Sequence, residues 1–143
     1  DLEHKLLQKS AKSLSLMISG DIALKQKRLS EAIDGYREAQ KFNDSWISHV
    51  LLGEAYVQAR LFPEAFTELD TADKRASEAA DLFASNSASL RYLPVLYYWL
   101  GRAHEGLGAR DTALETYQRL IAMRQNADSA DKLLADAKRR IGQ

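Results

Sequence analysis

The sequence predicts an all-α fold, a row of antiparallel helix pairs, and three observations carry that reading. Helix-breaking residues are scarce, with 2 prolines and 7 glycines in 143 residues, so helix is the low-cost backbone nearly throughout. No stretch alternates apolar and polar residues for long enough to argue for a strand. Apolar residues instead recur three and four apart, as in Leu14, Met17, Ile18, Ile22 and Leu29, and again in Val50, Leu51, Tyr56 and Val57. Finally, a pattern of small and aromatic residues returns three times along the chain.

The repeat emerges when the chain is aligned on glycine. Gly20 is followed at fixed offsets by Ala32, Tyr36 and Ala39, Gly53 by Ala65, Leu69 and Ala72, and Gly101 by Ala113, Tyr117 and Leu120. Gly20 and Gly53 are 33 residues apart and Gly53 and Gly101 are 48, one repeat plus an insertion. This spacing describes a helical hairpin. Small residues at the glycine and first alanine positions let two antiparallel helices approach closely, while Tyr36 or Tyr117 fills the space beside them. Ala39 and Ala72 fall where a second helix meets the next repeat. Turn chemistry predicts Ser30 and Asp111 as N-caps of second helices, Pro63 in a first helical turn, and a break at Asn43-Asp44-Ser45.

Leu52-Gly53 with Tyr56 and Ala65, and Leu100-Gly101 with Ala113 and Tyr117, resemble the signature of tetratricopeptide repeats. The segment Lys27-Arg28-Leu29-Ser30-Glu31-Ala32-Ile33, with Tyr36 and Ala39, resembles the middle of another. The resemblance implies a right-handed superhelix of helix pairs in a single domain. Its expected parts are an N-terminal helix or helix extension (1–12), repeat one (13–45), repeat two (46–78), an insertion (79–93), repeat three (94–126) and a capping helix (127–143). Leu2, Leu6 and Leu7 share a face of the first segment. The insertion lengthens the second helix of repeat two to about Ala84, ahead of a polar loop at Ser85-Asn86-Ser87-Ala88-Ser89. The terminal helix reads as Asp128–Ile141, with Asp128 as N-cap and Leu133, Leu134 and Ala137 inward; a solenoid needs such a cap over its last apolar face. Three departures from the pattern stand out: His104 at a usual tyrosine position, Leu120 in place of the last alanine, and no closing proline.

Composition narrows the function. Lys+Arg and Asp+Glu number 20 each, for zero formal charge, which argues against a general nucleic-acid binder. A helical-repeat RNA reader would need a basic groove. With no cysteine, disulfide scaffolds, cysteine zinc sites and thiol catalysis are excluded. No apolar run reaches the length of a membrane span, so no direct membrane insertion is expected. The chain opens at Asp1, which suggests a processed chain or a piece of something longer. The stretch Leu90-Arg91-Tyr92-Leu93-Pro94 through Trp99-Leu100-Gly101-Arg102-Ala103 resembles C-terminal repeats of some bacterial multidomain regulators and kinases, which implies a larger bacterial protein.

Candidates for chemistry are weak. None of His4, His49 and His104 has another histidine three or four residues on, and the last two stand where the repeat carries core aromatics. Glu64, Glu68, Asp70, Asp73, Glu78 and Asp81 are spread over several turns with Lys74 and Arg75 interleaved, the pattern of a solvated helix face. Gly101, Gly106 and Gly108 lack the Gly-Lys-Ser/Thr of a phosphate loop. No enzyme activity, metal or cofactor is expected.

The resemblance implies instead a protein or peptide partner held in the concave groove of the first helices. Carried over position by position, the groove residues are Met17, Asp21 and Leu24, then Val50, Glu54 and Val57, then Tyr98, Arg102 and Glu105. Some co-chaperones of this family clamp a C-terminal carboxylate with Lys and Asn. The matching positions here are Met17, Asp21, Leu51, Val95 and Trp99, without a cation, and Asp21 would repel a carboxylate. An apolar segment with a basic residue suits the groove better. Two alternatives to an open groove follow: the terminal helix or the insertion fills it, or the chain self-associates as a homo-oligomer.

Overall fold

The computed structural model describes residues 1–82 (77–82 by backbone alone), 91–125 and 131–142. Its helices are α1 (Leu2–Lys25), α2 (Leu29–Phe42), α3 (Trp46–Gln58), α4 (Phe62–Leu82), α5 (Tyr92–Gly106), α6 (Arg110–Met123) and α7 (Lys132–Arg140). The described residues contain no strand. α1 packs on α2, α3 on α4 and α5 on α6 as three hairpins. Successive hairpins meet through α2 on α3 and α4 on α5, α3 also touches α5, and α7 closes the row on α6 and α5. The result is an all-α solenoid in which each unit contacts mainly its neighbours.

The aligned small and aromatic residues form the spine of this stack. Ala32, Tyr36, Ala39, Ala65, Leu69, Ala72, Ala113, Tyr117 and Leu120 are all fully or almost fully buried. A Cβ on Gly20 would lie 2.6 Å from Tyr36 Cε1, one on Gly101 would lie 2.5 Å from Tyr117 Cε1, and one on Gly53 would strike Leu69. The glycine is thus the price of close helix approach in every repeat. Buried apolar residues fall into two clusters. One joins Ala23, Leu24, Ala32 and Tyr36 to Leu52 and Ala55; the other runs from Val50 and Val57 through α4, α5 and α6 to Ala137. α3 contributes to both and is the bridge between them.

The three hairpin turns share one construction. Lys27, Arg60 and Gly108 each lie seven residues after the repeat glycine and each has positive φ, 59°, 62° and 77°. The next residue donates its backbone N–H back across the turn: Arg28 to Ala23 O, Leu61 to Tyr56 O and Ala109 to His104 O, each at 2.9 Å. This left-handed closure satisfies the end of the first helix and aims the chain into the second.

Several boundaries differ from expectation. α2 and α6 begin at Leu29 and Arg110, so Ser30 and Asp111 lie within the first turn instead of capping it. Asp111 there still complements the positive end of the helix dipole. The terminal helix is capped by Asp131, whose carboxylate accepts from Leu134 N at 3.1 Å, and it starts at Lys132; Asp128 lies outside the described residues, as does the loop at 85–89. Pro63 sits in the first turn of α4 and residues 43–45 break the chain before α3, as expected. Residues 1–12 extend α1 as continuous helix, and every one of them is exposed.

Candidate functional site

The residues expected to line the groove separate into a buried set and an accessible set. Leu24, Val50, Val57 and Tyr98 are buried in the two core clusters. Val50 and Val57 belong to the cluster that α3 shares with α4, α5 and α6. The half-buried set is Met17, Asp21, Glu54, Arg102 and Glu105. What remains open is therefore more polar than the sequence suggested.

At the third repeat α7 covers the groove. The Tyr98 hydroxyl donates to Asp136 Oδ2 at 2.6 Å, Arg102 donates to the Tyr98 oxygen at 3.1 Å, and Arg140 donates to Asp136 at 2.6 Å and to Glu105 at 2.8 Å. Burial works against ionisation of Asp136, but hydrogen bonds from Tyr98, Arg140 and Arg139 hold its carboxyl down at about 2. The Tyr98 ring meets Trp99 edge-on, centroids 4.9 Å apart. Arg124 donates to Asp131 at 2.8 Å and ties the start of α7 to the end of α6. The capping helix is thus fastened at both ends by charge-assisted hydrogen bonds.

Between α1 and α3 the groove is open. A cleft of about 340 Å³ is lined by Asp21, Leu24, Lys25, Lys27, Glu54 and Gln58. Asp21 accepts from the Tyr36 hydroxyl at 2.5 Å, Lys27 donates to Gln58 at 3.1 Å, and Gln58 donates to Glu54 at 3.1 Å. Burial, then the charge of Asp21, raises the Glu54 carboxyl to about 7, and Gln58 and Lys27 offset only part of this. A second cleft, of about 590 Å³, shares Gln58 and adds Val57, Arg60, Phe62, Arg102, Glu105 and Gly106.

Lys25, Lys27, Gln58, Arg60, Phe62 and Gly106 are the lining residues that sequence reasoning missed. A signal for two of them was present: Gly108 marks a left-handed turn position, and the same register falls on Lys27 and Arg60. Strained non-glycine residues of this kind cluster at binding and switch sites. Here the turns set two cations, Lys27 and Arg60, in the linings of the two clefts.

The histidines serve packing and pairing. His49 joins Glu68 at 2.5 Å and Asp44 at 2.7 Å, bridging α4 to the α2–α3 connection. The Glu68 hydrogen bond raises its pKa against the opposing effect of burial, and Asp44 adds to the rise. The His104 ring lies 5.3 Å from that of Phe66, and burial lowers its pKa. Among the described residues no three histidine, aspartate or glutamate side chains converge as a metal site.

No protein-family model matches the sequence, and no curated protein matches it. Solved structures do match. A TPR-like protein from Chlorobium tepidum TLS superposes with a TM-score of 0.81 at 19% identity, covering 96% of each chain. The fold is that of the tetratricopeptide repeats. The Arabidopsis OM64 TPR domain gives a TM-score of 0.71 at 18% identity, covering 94% of this chain and 97% of its own. The first TPR of Spaghetti (RPAP3), bound to the HSP90 peptide SRMEEVD, gives 0.67 at 22% identity, covering 94% of this chain and 98% of its own. At these identities the tetratricopeptide likeness is one of backbone architecture.

Proposed function

We propose that this chain is a non-enzymatic protein–protein interaction module that takes a peptide segment in the open part of its concave groove, along α1 and α3. The observation that carries this reading is the Asp21–Glu54 cleft. Two carboxylates face a space of about 340 Å³, and one of them is held near pH 7 by burial and by its neighbour. A cationic side chain entering the cleft would offset the repulsion between the two carboxylates, so a peptide with a Lys or Arg among apolar residues is the favoured ligand class. Asp21, Lys27, Glu54 and Gln58 in this cleft are tied into hydrogen bonds with protein partners, which favours binding over catalysis.

An acidic tail like the SRMEEVD peptide of the Spaghetti structure would meet like charge at Asp21 and Glu54. Tetratricopeptide architecture supports a peptide ligand; the carboxylate pair, set beside Lys25 and Lys27 in the same cleft, argues for one with a basic residue.

Fluorescence anisotropy with ten-residue peptides, identical except for a central Lys, Glu or Gln, tests the reading. The Lys peptide is expected to bind best, more tightly at pH 8 than at pH 6, and to lose that preference on Asp21→Asn/Glu54→Gln. Equal binding of the three peptides, or a preference for Glu, would overturn it.

A further inference from the structure

The outer face of α1 carries an apolar stripe that the fold leaves open. Leu7, Leu14, Ile18 and Ile22 are 69%, 57%, 51% and 49% exposed. At 3.6 residues per turn they fall within about 80° of arc, with Ala11 among them. Their spacing is close to the three-and-four alternation of a coiled-coil seam.

Repeat register shows what kind of surface this is. The counterparts of Leu14, Ile18 and Ile22 are Ile47, Leu51 and Ala55 in the second repeat, and Val95, Trp99 and Ala103 in the third. Ala55 and Ala103 are fully buried, while Leu51 and Trp99 pack on the core clusters. In each later repeat a neighbouring helix covers this face. In the first it is bare, so its geometry is already that of a helix-packing surface.

We infer that the stripe pairs with its counterpart on a second copy of the chain, antiparallel about a two-fold axis near Leu14. The opposite end of the solenoid does not match it: α7 exposes Lys132, Ala135, Lys138 and Arg139, and head-to-tail stacking would set these charges on leucine and isoleucine. A two-fold arrangement sets apolar on apolar and closes the assembly. Leu7 then meets the second copy's Ile22, Ala11 its Ile18, and Leu14 its Leu14. The charges fit the same register. Glu3 and Lys25, at the two ends of the stripe, come together twice across the axis, whereas parallel pairing would oppose like charges. One helix face makes a small interface, so the dimer forms and dissociates with concentration.

The chain contains no cysteine, which makes the test direct. Under mild oxidation Leu14→Cys alone is expected to give a disulfide-linked dimer. Leu7→Cys and Ile22→Cys should cross-link when mixed but not singly. Sedimentation equilibrium of the parent should show mass rising with concentration from 16.1 kDa towards twice that value. Ile18→Glu, at an exposed position, should remain at the monomer mass with unchanged circular dichroism. Glu3→Lys should weaken the dimer, and Glu3→Lys/Lys25→Glu should restore it. A parent of monomer mass at every concentration overturns the inference, as does cross-linking of Leu7→Cys alone faster than Leu14→Cys.

Discussion

Gly101 and Tyr117 are fitted so closely that the glycine hydrogen occupies the only space a side chain could use: a Cβ there would stand 2.5 Å from the ring carbon Cε1. The ring is fully buried and can move only by disturbing its neighbours. Gly101→Ala therefore gains helix propensity but forces a core ring to move, for a net loss of roughly 1–3 kcal/mol. Adding Tyr117→Val to Gly101→Ala should recover part of the cost of the alanine. Urea denaturation of the two single variants and the double variant measures the coupling.

Tyr36 and Tyr117 occupy the same place in their repeats but differ at the hydroxyl. Tyr36 donates to Asp21 at 2.5 Å. The Tyr117 hydroxyl is buried without a hydrogen-bond partner of good geometry, and burial, then the charge of nearby Glu105, raises its pKa. Tyr36→Phe should cost about 1–2 kcal/mol, and Tyr117→Phe should be neutral or stabilising. Thermal melts of the pair separate the two expectations.

Arg60 holds a left-handed backbone at φ 62°, a conformation that Gly108 adopts without a side chain. Arg60→Gly relieves that strain at the cost of a more flexible unfolded chain, with a net gain of up to about 1 kcal/mol. Gly108→Ala should lose about 1 kcal/mol or more. Chemical denaturation checks both.

Stability should respond to pH through Glu54. Burial and Asp21 raise its carboxyl from 4.5 to about 7, so the folded state keeps a proton that the unfolded chain has released. Its contribution is greatest below 4.5 and is lost as pH rises through 7. His49 has the same sign: raised from 6.5, it adds stability that is full below that value and fades as pH rises through its folded pKa. His104, lowered by burial, opposes both as pH falls below 6.5. Glu54→Gln isolates the carboxyl. It should stabilise the protein at pH 8.5 by up to about 3 kcal/mol and change little at pH 4.5.

The capping helix supplies the acid limb. Asp136 is lowered from 3.8 to about 2, so the stability it contributes is present above 3.8 and disappears as pH falls towards 2. Asp136→Asn should cost about 1–2 kcal/mol near neutrality and flatten the loss of stability between pH 4 and pH 2. Circular dichroism over that range reads the difference.

The repeat was legible because close approach constrains residue type at fixed offsets: Gly20, Ala32 and Tyr36 recur as Gly53, Ala65 and Leu69. Helix starts were less so. Ser30 and Asp111 are good capping residues, but backbone closure at Lys27 and Gly108 begins the next helix before either is reached. The open cleft was only half visible. Register picked out Asp21 and Glu54, which line it, but also offered Val50, Val57 and Tyr98, which are buried. Such burial depends on the angle between neighbouring hairpins, and no single residue encodes that angle.

The bridging position of α3 has a kinetic consequence. The cluster around Tyr36 reaches the rest of the protein through Leu52 and Ala55 on α3, so the first hairpin can detach while the larger cluster keeps its own closure under α7. Amide hydrogens of α1 and α2 should then exchange through a partial opening of lower free energy than the event that releases α5 and α6. One chain would show two protection levels, with the boundary between them at α3.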